Sequence, residues 1–328
     1  MQTRTQIAEL GKVNFIEKLT SPFAIEADDA AILDNNRVIA SDMLLEGVDF
    51  DLQYTPLEHL GYKAVTAAAS NILAMNAMPK EITISLGLSA RFSVEESEAL
   101  YKGVHYALDQ YGIRLIGGNT SASMSGLVIA TTCIGTGDNI VRRSGAKTTD
   151  LLCITGNLGA AYMGMQLLER EKRAVGKSGI MPQLEGYNYL LRRQLQPTAP
   201  ISVVKNLATE GVVPTAMIDI TNGLASAMLS LCQSSQCGAR IYLERIPIAS
   251  EVFKLAQELQ IDPVVAALNG GDDFELLFTV PLEHHKEILT MAGVDVIGHV
   301  VAVDEGAAMV TPDGSEIRLQ SPDFVNQM

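Results

Sequence analysis

The stretch "MIDITNGL", residues 217–224, decides how this chain is read. Met217 to Ile220 has the pattern of a buried strand, and Thr-Asn-Gly then leads into a helix over 223–235. A carboxylate at Asp219, between two isoleucines, is costly to bury unless something pairs with it, and a cation is the obvious partner. Asn222, the neutral twin of an aspartate, stands at the helix entry. A polar residue at a strand-to-helix junction is where α/β proteins hold ligands.

The same grammar recurs along the chain. It is found in "EADDAAI" (26–32), "IASDML" (39–44), "AASNILAMN" (68–76), "LIGGNTSAS" (115–123) and "NGGDDFELLF" (269–278). Taken singly, each reads as a turn former or helix cap. Together they place acids and amides at many strand ends, often beside glycine. Glycines let a backbone approach phosphate, and carboxylates there can hold magnesium.

Between these places strands and helices alternate without strict Rossmann order, which makes the fold class α+β. Strands are expected at 37–45, 81–88, 113–118 and 126–137 in the first half. A helix fills 57–77. Another follows Ser93, with Glu96 completing a capping box and Gly112 ending it. The polar run "RRSGAKTTD" (142–150) marks a boundary, giving domains 1–145 and 146–328. In the second half, "LLCITG" and 216–220 read as strands, 200–210 and 250–259 as helices, and "AMVTPDGSEIRL" as a hairpin on Asp313-Gly314. Residues 171–185 are polar and irregular, and read as a mobile loop.

Composition narrows the class. The chain has 328 residues, 47% apolar and 19% charged, with a net charge of −14 and no Lys/Arg block. That argues against nucleic acid and anionic membrane as partners. Nucleotides stay open, because magnesium can carry their charge into an acidic pocket. Cys133 and Cys153 lie in apolar runs, and none of the four cysteines forms a C-x-x-C pair, so a cytoplasmic location is expected. No run is long and apolar enough for a membrane span. "VGKSG" (175–179) fails as a P-loop because Glu171 stands where the motif needs glycine.

The ordered set "DDAAIL", "SDMLLEGVDF", "GYKAVTAAASNILAMNAMP", "LIGGNTS", "RRSGAK", "ITGNLGAAYMG", "IDITNGL" and "GGDDFELLFT" resembles the thiamine-monophosphate kinases of the aminoimidazole ribonucleotide synthetase superfamily. The resemblance runs from about residue 25 to 310. It implies a two-domain aminoimidazole ribonucleotide synthetase-like fold. The N-terminal α/β domain would form an inter-subunit β-barrel in a homodimer, with a C-terminal α+β domain beside it. It implies transfer of phosphate from ATP to thiamine monophosphate with Mg²⁺, a reaction that relies on positioning and charge neutralisation. Asp29, Asp42 and Asp219 match metal ligands of the family, with Ser41 beside Asp42. Gly118, Asn119, Arg143 and Thr221 match ATP contacts. Asp49, Asp272 and Phe324 match substrate contacts.

The chain departs from the family at its chemistry. Asn71, Asn119 and Asn222 stand where the family has metal-binding aspartates. Asp49 replaces a histidine, Ala27 a glycine and Ala40 a threonine. Asn keeps a carbonyl oxygen but loses the charge and turns an NH₂ toward a cation. Three readings follow: a thiamine-monophosphate kinase-like enzyme; an impaired homologue that binds nucleotide or thiamine phosphate in a regulatory role; or a related kinase with another substrate, as Asp49 suggests.

Overall fold

The computed structural model describes residues 5–23, 25, 27–34, 36–178 and 181–324. Two sheets organise them. The first contains β1 (Ala31–Asp34), β2 (Arg37–Leu45), β3 (Met78–Leu88), β4 (Arg114–Ala122) and β5 (Val128–Thr136), in the order β1-β2-β5-β3-β4. All its pairings are antiparallel except β3 with β4. The second contains β6 (Leu151–Thr155), β7 (Ala216–Ile220), β8 (Gly238–Tyr242), β9 (Glu275–Val280), β10 (Val294–Val301), β11 (Ala307–Val310) and β12 (Glu316–Arg318), in the order β12-β11-β8-β10-β6-β9-β7. The mixed α+β class holds.

β6, β7 and β9 are buried along their whole length. Their alternating side chains divide between two cores, as the two-residue period of a strand requires. Leu151, Cys153, Met217, Leu276 and Phe278 face one core. Leu152, Ile154, Ile218, Ile220 and Leu277 face the other. The second core packs on helix Leu224–Ser235 through Met228 and Leu231. The first reaches across to the N-terminal sheet through helices Leu57–Leu73 and Val94–Tyr111.

Helix Leu57–Leu73 is buried nearly all round and rich in alanine, as a helix with partners on every side must be. It crosses helix Val94–Tyr111 very closely. A Cβ added at Gly103 would lie 1.7 Å from the Glu58 carbonyl oxygen, so only glycine lets these backbones meet. The capping box is formed as expected: Glu96 N–H donates to Ser93 Oγ (3.1 Å) and Ser93 N–H to Glu96 Oε2 (2.8 Å). Gly112 ends the helix in the left-handed region, φ 67°.

One expectation is corrected. Residues 171–178 are not a loop: helix Ala160–Ser178 runs through them. Glu, Lys, Arg and Ala favour helix, and the polarity marks an exposed face. Glu171 then anchors the returning chain, its Oε2 accepting the Gln183 N–H at 2.8 Å. Helices Lys12–Thr20, Asn188–Leu195 and Pro263–Asn269 escaped the pattern reading. No helix among the described residues is long and apolar enough to cross a membrane. All four cysteines are free and buried.

Candidate active site

Asp219 shares its strand parity with Met217, so it points toward helix Leu57–Leu73. Ser70 Oγ of that helix donates to Asp219 Oδ2 at 3.1 Å, and Thr221 Oγ1 donates to Oδ1 at 3.3 Å. Burial, followed by the neighbouring Asp29 carboxylate, pushes the Asp219 carboxyl well above its usual range, while Arg143 pulls the other way. Arg143 is thus a charged neighbour of this acid, while its ion pair is made with Asp29.

Arg143 holds Asp29 with two hydrogen bonds, Nε to Oδ2 at 3.0 Å and Nη2 to Oδ1 at 2.7 Å. The Asp29 side chain is 1% exposed. Its neighbour Asp28 accepts from Arg142 Nη1 at 3.0 Å and from the Arg143 N–H at 2.8 Å. The Met217 N–H donates to the Arg142 carbonyl at 2.9 Å, which ties this arginine pair to the start of β7. Beside the group lies a cavity of about 590 Å³, lined among others by Lys12, Asp28, Arg143, Asp219, Thr221 and Asn222. That volume suits a nucleotide-sized ligand.

A second acidic group adjoins the first. Asp42 lies on β2 opposite Thr131, and its Oδ1 accepts the Met43 N–H at 2.7 Å. Burial raises its carboxyl; Asp49 and Asp272 add to the rise, and Lys12 opposes it. Ser41 Oγ shares a hydrogen bond with Thr132 Oγ1 at 3.0 Å. Asp49 closes its own turn, with Oδ2 accepting the Leu45 N–H at 2.7 Å. Asp272 joins the two groups: its N–H donates to the Thr221 carbonyl at 2.9 Å, and its Oδ2 receives Lys63 Nζ at 2.8 Å.

The amides divide. Asn222 lines the cavity with Asp219. Asn71 follows Ser70, and its Nδ2 donates to the Ala67 carbonyl at 3.3 Å. Asn119 and Gly118 lie on the exposed strand β4, apart from the Asp29–Arg143–Asp219 contacts. Asn119 Oδ1 accepts the Thr120 N–H at 2.9 Å. At Gly118 an added Cβ would fall 1.9 Å from the Ile84 carbonyl oxygen, so sheet packing alone demands glycine there. The side chain of Phe324 lies outside the described residues. Among the described residues no three His, Cys, Asp or Glu side chains gather closely enough to hold a metal ion. The oxygens that could share one are those of Asp29 and Asp219, adjacent and both buried.

Pattern reading missed Lys63, Asp28, Arg142 and Ser70. Lys63 had a signal: a lysine inside the small, apolar helical run "GYKAVTAAAS" must either be buried with a partner or break the pattern.

Known proteins resemble this chain along most of its length. Residues 27–136 match the AIR synthase related protein N-terminal domain, and residues 154–311 its C-terminal domain. The chain is 30% identical to the thiamine-monophosphate kinase of Aquifex aeolicus (strain VF5), covering 94% of this chain and 97% of that protein. It is also 30% identical to the thiamine-monophosphate kinase of Bacillus subtilis (strain 168), covering 78% of this chain and 77% of that one. Among solved structures, AaThiL complexed with AMPPCP and TMP superposes with a TM-score of 0.84 at 28% identity, covering 96% and 97% of the two chains. The chain belongs to the thiamine-monophosphate kinase family.

Proposed function

We propose that this protein transfers a phosphoryl group from ATP to thiamine monophosphate. The observation that carries the reading is the gathering of Asp29, Arg143, Asp219 and Thr221 beside a nucleotide-sized cavity. The similar structure that holds an ATP analogue and TMP supports it.

Arg143 supplies a positive charge on the cavity wall for the nucleotide phosphates, its fork held in place by Asp29. The Thr221 hydroxyl and Lys12 line the same wall. Asp272 and Asp49 stand on the acceptor side. The donor set is all oxygen, and two adjoining buried carboxylates, Asp29 and Asp219, suit a magnesium ion that arrives with the nucleotide. Asp29 and Asp219 would hold it, with Asp42 serving the acceptor side. Such an ion neutralises phosphate charge and polarises the transferring group.

A second reading has a specific observation behind it. Asn71, Asn119 and Asn222 stand where the resemblance implies carboxylates, and no cluster of three acids that could hold a metal ion forms among the described residues. A weakened kinase, or a nucleotide-binding homologue with a regulatory role, would follow if the lost charges are essential. Asp49 favours a different acceptor on the same scaffold. Profiling with ATP and a panel of phosphate monoesters separates these outcomes. The kinase reading predicts preference for thiamine monophosphate, and a stronger signal from another acceptor would replace it.

The exposed nine-residue edge strand β4 supports a homodimer, because an open edge invites pairing. Light scattering on the full chain measures it. The free cysteines fit a reducing cytoplasm.

A further inference from the structure

Lys63 is the unexplained charge in this fold. Its side chain is 5% exposed, within a helix whose neighbouring residues Tyr62, Ala64, Val65 and Thr66 are all buried. A buried ammonium persists only with a partner. That partner is Asp272, 209 residues away in the other domain, with Nζ 2.8 Å from Oδ2. Asp272 is itself 39% exposed, so it opens to solvent while the lysine behind it does not.

The backbone under Asp272 is held independently of Lys63. Asp272 N–H reaches the Thr221 carbonyl at 2.9 Å, and Phe274 N–H reaches the Ile220 carbonyl at 3.1 Å. Asp273 is buried beneath, its Oδ2 accepting the Gly159 N–H at 2.8 Å. These contacts hold Asp272 at φ 63°, a left-handed conformation that aspartate adopts more readily than most side chains. The side chain is a separate matter. Asp42 lies within electrostatic reach of both Asp272 and Asp49, and like charges would turn a free carboxylate out to water. The ammonium holds it in place. Among the described residues Lys63 is the one hydrogen-bond partner of this carboxylate, and it takes Oδ2, which leaves Oδ1 without a protein partner on a part-exposed side chain.

We infer that Lys63 is a positioning residue for the phosphate acceptor: it holds Asp272 so that the second carboxylate oxygen is offered to an N–H donor of the acceptor. The inference rests on the kinase reading above and adds to it the residue that sets acceptor affinity. It separates two roles that a static ion pair leaves together. A strap between domains would affect every ligand and stability alike. A positioning residue affects the acceptor and spares the nucleotide.

The experiment compares the full-length wild type with Lys63→Met, Lys63→Arg, Asp272→Asn and the double variant Lys63→Met/Asp272→Asn. For each, kcat and KM for thiamine monophosphate, affinity for AMPPCP with Mg²⁺, and melting temperature are measured. Lys63→Met should raise the acceptor KM about tenfold or more, with AMPPCP affinity within about threefold of wild type. Lys63→Arg, which keeps the charge, should recover most of the loss. Asp272→Asn should match Lys63→Met, and the double variant should be no worse than either, because both remove one interaction. If Lys63→Met does not fold, Lys63→Gln takes its place. An unchanged acceptor KM, or nucleotide and acceptor affinity falling in step, overturns the inference while leaving the kinase reading intact. If the wild type gives no turnover, titration with thiamine monophosphate decides: equal binding by wild type and Lys63→Met overturns the inference, and no binding by wild type overturns both.

Discussion

Arg143 and Asp29 meet through two parallel hydrogen bonds, at 3.0 and 2.7 Å, and the nearest further charges on this guanidinium are Asp219 and Asp28. One cation thus answers several buried acids that lie far apart in the chain. Removing it leaves Asp29 without its ion pair. Arg143→Ala should lower stability by about 3–5 kcal/mol, the usual consequence of leaving one half of a buried pair. Magnesium should then raise the melting temperature of the variant more than that of wild type, since an ion can take the guanidinium's place. Thermal melts with and without Mg²⁺ check both. A variant as stable as wild type would mean that the carboxylates are neutralised some other way.

Gly103→Ala tests the helix crossing on which the site rests. The new methyl would be forced against the Glu58 carbonyl, 1.7 Å from its oxygen. Helix Leu57–Leu73, which carries Lys63, Ser70 and Asn71, must move to relieve it. A loss of about 1–3 kcal/mol is expected from overpacking of this kind, measured by urea unfolding. Nucleotide and acceptor affinity should both weaken, because both sides of the site hang from this helix.

Asp273 gives a pH signature. It is fully buried and, together with Glu275, shares the single guanidinium of Arg193. Burial, against the opposing charge of Arg193, pushes its carboxyl from the ordinary 3.8 up to about 7. Between those values the folded protein binds more protons than the unfolded chain. Stability from this group is therefore complete below about pH 4 and is lost as pH rises through about 7, by at most about 4 kcal/mol. Asp219 acts in the same direction. Asp273→Asn should flatten the fall in melting temperature across this window without abolishing it. Parallel slopes for wild type and variant would contradict the assignment.

The two-domain α+β fold was legible because strand-end grammar and capping chemistry are local. Ser93, Glu96, Gly112 and the Asp313-Gly314 turn each act within a few residues, and the structure forms each of them. Asp219 was legible as a buried acid needing a cation. That Arg143 would pair with its neighbour Asp29 was not, because a resemblance can match Arg143 to nucleotide without saying what it pairs with otherwise. Lys63 and Arg193 were harder still. Their partners, Asp272 and Glu275, lie 209 and 82 residues away, and no periodicity reports such separations. Residues 171–178 misled because an exposed helical face and a loop share a composition.

The three amides make the next prediction. Asn71→Asp and Asn222→Asp add negative charge on the segments that flank Asp219, and Asn119→Asp adds a third on β4. The metal-free protein should melt at a lower temperature than wild type, and Mg²⁺ should reverse the loss. Magnesium affinity, read from the dependence of melting temperature on Mg²⁺, should rise about tenfold or more. A triple variant with wild-type magnesium dependence would remove the argument that these amides weaken a metal site.

The central claim is that this chain, with its amides in place, still moves phosphate from ATP to thiamine monophosphate. The most direct measurement is formation of thiamine diphosphate by the purified full-length protein, with ATP and thiamine monophosphate, over a range of Mg²⁺. The account predicts product that requires both substrates, increases with Mg²⁺ and falls sharply in Asp219→Asn. No product above a mock preparation at any Mg²⁺ concentration would contradict it.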